Sequence, residues 1–118
     1  MTAPFRNWDE IVAYGLSLPE TELAPFYGTP CPKVNGKAFV APGREAGSFC
    51  LFTNGLDEKA MLIETDPETF WETPHYRAYP ALLARFGTDA RDRLETYVAR
   101  AWWDRLKKPQ RDRYGPRP

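Results

Sequence analysis

Histidine and cysteine are scarce in this sequence, with one His (His75) and two Cys (Cys31, Cys50) in 118 residues. A metal centre needs several convergent His, Cys or carboxylate ligands, and no CxxC, HxxxH or HExxH pattern surrounds these three. No metal and no other cofactor is therefore expected. Two thiols are too few for a disulfide framework, and neither has a His at motif distance, so both read as small core residues of a protein from a reducing, cytoplasmic compartment. Long apolar runs are missing too. Phe49–Phe52 and Ala60–Ile63 are typical, far below the roughly 20 residues that a bilayer span needs. Met1–Glu10 carries Arg6, Asp9 and Glu10 without an apolar block, so no signal peptide is expected. There is no GxSxG, no glycine-rich phosphate loop after a strand and no Walker lysine, which leaves serine hydrolysis and nucleotide hydrolysis without support.

Net charge is also lacking, since 16 Lys plus Arg balance 16 Asp plus Glu. The balance hides an asymmetry. Met1–Tyr76 holds 5 basic and 11 acidic residues, whereas Arg77–Pro118 holds 11 basic and 5 acidic. A basic half suggests a polyanionic partner, and mutual neutralisation of the two halves in the fold is the plain alternative. At 42% hydrophobic residues, a chain of this length buries roughly 65% of its unfolded surface and supports one domain without staples.

The local patterns predict an α+β domain. Asn7 and Glu10 have capping-box spacing, and Trp8, Ile11, Val12, Gly15 and Leu16 fall on one helical face, giving a helix from Trp8 to Leu18 that Pro19 stops. Glu22–Tyr27 reads as a strand, followed by a turn at Gly28-Thr29-Pro30. Asn35-Gly36, flanked by β-formers, predicts a two-residue hairpin with Val34 opposite Lys37 and Pro32 opposite Phe39. Val34, Lys37 and Phe39 then share one face, and Lys33, Ala38 and Val40 the other. Ser48–Thr53 is a further strand, Leu56–Thr65 a short helix opened by Asp57 and Glu58, and Thr69–Glu72 and Ala81–Phe86 are two more strands. Asp89 is placed to cap a last helix whose apolar face is Leu94, Tyr97, Val98, Ala101 and Trp102, with Trp103 partly exposed. Residues 1–108 are thus read as a single domain and 109–118 as a basic, proline-rich mobile tail.

Two constellations could carry function. Glu72–Tyr79 gathers a carboxylate, an imidazole, two phenols and a guanidinium in a stretch stiffened by Pro74 and Pro80. It could form a small-molecule or anion pocket from Glu72, His75, Arg77 and Tyr79, with Glu72 orienting His75 as an acid or base, or serve only as a rigid connection. Lys33 and Lys37 beside the hairpin turn, Tyr76 and Arg77 in the rigid loop, and the basic C-terminal region could instead contact nucleic acid through phosphates and stacked bases. Trp71 and Trp103 leave open a third possibility, a protein-interaction module. A monomer is expected, with DNA as the first candidate partner, a small-molecule ligand as the alternative, and no membrane.

Three stretches resemble the MmcQ/YjbR family of small, single-domain bacterial proteins: Thr29–Phe39 (TPCPKVNGKAF), Asp66–Pro80 (DPETFWETPHYRAYP) and Leu94–Trp102. They occur in the family's order and span nearly the whole chain to Lys108. The resemblance implies a frataxin-like (CyaY-like) α+β fold, in which helices cover one face of an antiparallel sheet in two layers. The residue patterns give the matching order α-β-β-β-β-α-β-β-α. It also implies DNA binding, a function assigned to the family by analogy with double-winged folds. The motif positions it carries over are Lys33, Lys37, Thr73, Pro74, His75, Tyr76, Arg77 and Tyr79, with Ala78 where the family usually has glycine. It carries over no catalytic residue.

Overall fold

A computed structural model describes residues 3–118. Its elements run α1 (Trp8–Leu16), β1 (Glu22–Phe26), β2 (Thr29–Val34), β3 (Lys37–Ala38), β4 (Val40–Pro42), β5 (Ser48–Phe52), α2 (Gly55–Thr65), β6 (Phe70–Trp71), β7 (Ala81–Arg85), α3 (Arg91–Asp104) and α4 (Lys108–Tyr114). All strand pairs are antiparallel, in the orders β1-β2-β3 and β4-β5-β7-β6. Only Phe39 separates β3 from β4, and the Phe52 N–H donates to its carbonyl at 3.4 Å. The second sheet therefore continues the first across a break.

That break sets side-chain parity. Lys33 pairs with Ala38 and Val34 with Lys37, as the Asn-Gly turn dictates, but the pairing stops there and Pro32 pairs with Leu23 of β1 instead of Phe39. Val40, expected on the side of Lys33 and Ala38, packs with Phe39 in the larger core. One unpaired residue reverses the alternation of a strand, so Ala41 and not Val40 returns to the side of Ala38. The hairpin's second arm is consequently two short strands, which adds one strand to the expected order.

The two layers follow from both faces of the sheet being apolar. Phe49, Leu51, Leu82 and Ala84 face a core completed by Ile11 of α1, Leu62 of α2, and Leu94, Val98, Ala101 and Trp102 of α3. Cys50, Ala81 and Leu83 alternate to the opposite side, where they meet Cys31, Ala38, Ala41 and Tyr76. Strands buried on both faces read as continuous apolar runs, as Phe49–Phe52 and Ala81–Ala84 do. Small residues let a loop, rather than a helix, close that second face.

Helix ends depart from expectation in two places. Asn7 accepts from the Glu10 N–H at 3.0 Å, but Glu10 reaches the backbone and guanidinium of Arg6, so only half of a capping box forms. Asp89 does not cap α3; Thr88 Oγ1 accepts from the Ala90 N–H at 3.3 Å just before the helix begins.

Residues 109–118 are not a loose tail. Pro109 stands in the first turn of α4, where its missing N–H costs nothing. Tyr114 packs on Trp102 with centroids 5.6 Å apart, and Trp103 Nε1 donates to the Gly115 carbonyl at 2.9 Å. Arg117 bridges Asp104 of α3 (2.9 Å) and Glu58 of α2 (2.7 Å). Basic and proline-rich composition suggested mobility, but two aromatics on α3 and two acidic groups provide a surface on which that composition docks. No helix among the described residues is long and apolar enough to cross a membrane.

Candidate nucleic-acid interface

Between β6 and β7 the chain makes successive turns, with Tyr76 N–H donating to Thr73 O and Tyr79 N–H to Tyr76 O, both at 2.9 Å. Lys59 of α2 holds this loop from beneath. It is only 3% exposed, and its ammonium donates to the carbonyls of Tyr76 (2.6 Å) and Tyr79 (2.9 Å) and lies 2.6 Å from Glu72 Oε2. The contact with Oε2 is a charge contact off the line of a hydrogen bond, leaving that oxygen with no other partner. A buried ammonium with several partners is a clamp.

The clamp sorts the loop residues. Glu72 meets Lys59 and is not free to orient His75. His75 is exposed and lies edge-on to Tyr76, centroids 4.8 Å apart. Tyr76, a candidate nucleic-acid contact, is 7% exposed and inserts into the second core beside Cys50. Its placement corrects the expectation that it contacts nucleic acid, because the small residues of that face leave room for one large ring. Arg77 and Tyr79 point outward and remain exposed. Burial pushes the Cys50 thiol up to about 12 and raises the pKa values of Cys31 and Tyr76, which keeps both cysteines protonated and poorly nucleophilic.

Lys33 and Lys37 come together elsewhere, at a cleft of about 510 Å³ on the β1-β2-β3 sheet. Its floor is Phe26 and Phe52, with centroids 6.1 Å apart. Lys33 Nζ lies 5.9 Å from the Phe26 centroid, and the Arg105 guanidinium 5.3 Å from that of Phe52. Arg105 Nε donates to the Ala38 carbonyl at 3.2 Å. The hairpin tip is fixed to the same region, because Asn35 Nδ2 donates to the Arg105 carbonyl (2.9 Å) and to Gln110 Oε1 of α4 (2.7 Å). Burial lowers the Arg105 pKa and the charge of Asp104 partly offsets it; a partly desolvated cation favours an incoming anion.

The two charge halves neutralise each other only in part. Arg93–Asp66, Arg113–Glu20 and Arg117–Glu58 join them. Among the described residues, Lys33, Lys37, Arg77 and Arg105 form no ion pair within 4.0 Å. Glu22 stands opposite Lys33 in the strand register without closing on it. Phe26 and Phe52 pack against the core that holds Tyr76, so cleft and loop belong to the same side of the sheet. Neither this cleft nor the larger one at Asp66, Arg85 and Arg93 is lined by any residue of Glu72–Pro80.

Trp71 and Trp103, the candidates for a protein contact, are both half-covered. Arg85 lies over Trp71 (4.2 Å) and Arg111 over Trp103 (4.1 Å). Sequence reasoning missed Arg105 as an individual residue and the aromatic floor entirely. A usable signal was Tyr27-Gly28, which forms the actual two-residue turn between Phe26 and Thr29 in place of the expected Gly28-Thr29-Pro30. No family model, characterised protein or solved structure matches the chain.

Proposed function

We propose that this chain is an MmcQ/YjbR-like protein that binds DNA through phosphate-dominated contacts at the β1-β2-β3 cleft. Three cations without carboxylate partners, Lys33, Lys37 and Arg105, surrounding a floor of Phe26 and Phe52 are the observation that carries the reading. Cations neutralise phosphates without regard to sequence, and aromatic rings offer apolar contact to sugars and bases. Arg77 and Lys107 are further exposed cations outside any ion pair among the described residues, whereas Lys108 faces Asp112 at 3.0 Å. The helix-covered antiparallel architecture supports the family resemblance in the same sense.

Acid–base catalysis in the Glu72–Tyr79 loop is the weaker reading, since the carboxylate it requires is held by Lys59. Fluorescence anisotropy with a labelled oligonucleotide at low salt tests the proposal. Wild type should bind, Lys33→Gln with Lys37→Gln should bind much more weakly, and Arg93→Gln, whose charge faces Asp66, should stay close to wild type. Absence of binding at low salt, or equal binding by the lysine variant, refutes it.

A further inference from the structure

Tyr27 is 95% exposed, with its ring edge-on to Phe26 at a centroid separation of 4.7 Å. It occupies the first position of a two-residue β-turn and has φ 49, followed by Gly28 at φ 83. The other two-residue turn of the same sheet uses Asn35 (φ 55) and Gly36 (φ 75), the residue types that tolerate positive φ. A tyrosine in the left-handed region costs conformational energy that asparagine avoids, and at 95% exposure the single edge-on contact with Phe26 is all the packing that offsets it. Strain of this kind persists where function requires the side chain.

The ring also adjoins the cleft, through its contact with Phe26 of the floor. From Tyr27 the aromatic series passes to Phe26 and then Phe52 (6.1 Å), with Lys33 over Phe26 and Arg105 over Phe52. Rings and cations thus follow one another from the Tyr27 turn toward Lys37. Duplex DNA hides the faces of its bases in its own stack, whereas a single strand presents both base faces and phosphates.

Resting on the DNA-binding reading above, we propose that the cleft is selective for single-stranded nucleic acid, with a base stacked on Tyr27 and the backbone led past Lys33 to Lys37 and Arg105. The stacking is sequence-tolerant, because every base has a π-face.

Anisotropy of the full chain with three labelled probes of one length, oligo-dT, a duplex and an abasic strand, tests it, together with Tyr27→Asn and Tyr27→Trp. Oligo-dT should bind more tightly than both the duplex and the abasic strand. Tyr27→Asn should lose roughly 5- to 150-fold on oligo-dT, the range for one base–aromatic stack, while Tyr27→Trp keeps or gains affinity. Thermal unfolding separates function from structure: Tyr27→Asn should be at least as stable as wild type, because asparagine suits the turn. Equal affinity for oligo-dT and the duplex or abasic strand, or an unimpaired Tyr27→Asn, overturns the single-strand inference while leaving phosphate binding intact. Failure to bind any probe refutes the DNA-binding reading, and the inference with it.

Discussion

Replacing Lys59 by methionine removes the charge that holds the Glu72–Pro80 loop and keeps the apolar stem nearly unchanged. The ammonium makes two short hydrogen bonds to carbonyls, at 2.6 and 2.9 Å, and a charge contact with Glu72 at 2.6 Å; the Arg77 carbonyl at 3.5 Å adds little. Hydrogen bonds to a charged group contribute about 1.5–3 kcal/mol each, and removing one partner of a buried ion pair costs about 3–5 kcal/mol. The Glu72 side chain is 32% exposed, so water recovers part of its solvation and moves the expected loss to the lower end, about 3 kcal/mol. With a urea m-value of about 1.5 kcal/mol/M, that is a midpoint lowered by about 2 M. Glu72→Gln should cost less, because the loop carbonyls still hold Lys59, and the double variant should lose less than the sum of the two singles. A loss below about 1 kcal/mol for Lys59→Met would refute the clamp, since an ammonium so easily dispensed with is not supporting the loop.

The remaining expectations concern the cysteines and the C-terminal segment. Cys50 has a folded pKa raised to about 12, above an unfolded value near 8.5, so the folded state retains a proton that the unfolded state releases. Its contribution is complete below about pH 8.5 and falls as pH rises toward about 12, by roughly 1.4 kcal/mol per pH unit. Urea titrations across this range should show the decline, and Cys50→Ala should make it shallower; an unchanged slope contradicts the burial argument. Both thiols should react with a disulfide reagent at pH 8 only after denaturant is added, and rapid reaction of the native protein would place them at the surface. Deleting residues 109–118 removes the Tyr114–Trp102 packing, the Gln110–Asn35 hydrogen bond and the Arg117 bridge, and should lower the melting temperature by several degrees, the scale of a loss of about 2 kcal/mol. An unaltered melting temperature would restore the mobile-tail reading.

Much of the fold is legible where short-range chemistry decides. Asn35-Gly36 fixes its own hairpin, and the periodic residues of α3 are those that meet the core, whereas on α1 only Trp8, Ile11 and Gly15 of the expected face turn inward and Leu16 is exposed. Non-local features were harder to read. Nothing local in Val34–Val40 reports that pairing stops at Phe39, because the break depends on β5 and its contact from Phe52. Lys59 is one charged residue among several on α2, and its burial follows from a loop that arrives after it in the chain. Residues 109–118 have tail-like composition but dock through partners on α1's flank, α2 and α3. In the site, Lys33 and Lys37 were visible beside their turn, whereas Arg105 reaches the cleft from the end of a helix nearly 70 residues later, as its contact with Ala38 shows.

Salt dependence of binding tests the phosphate reading most directly, because counterion release counts the cations engaged. With Lys33, Lys37 and Arg105 each neutralising one phosphate, log affinity for oligo-dT should fall with log salt at a slope of about −2, from roughly 0.7 per phosphate on a single strand. Lys33→Gln with Lys37→Gln should reduce that slope to about −0.7. Binding that ignores salt, or a slope that survives loss of both lysines, would contradict a DNA contact built on this cleft.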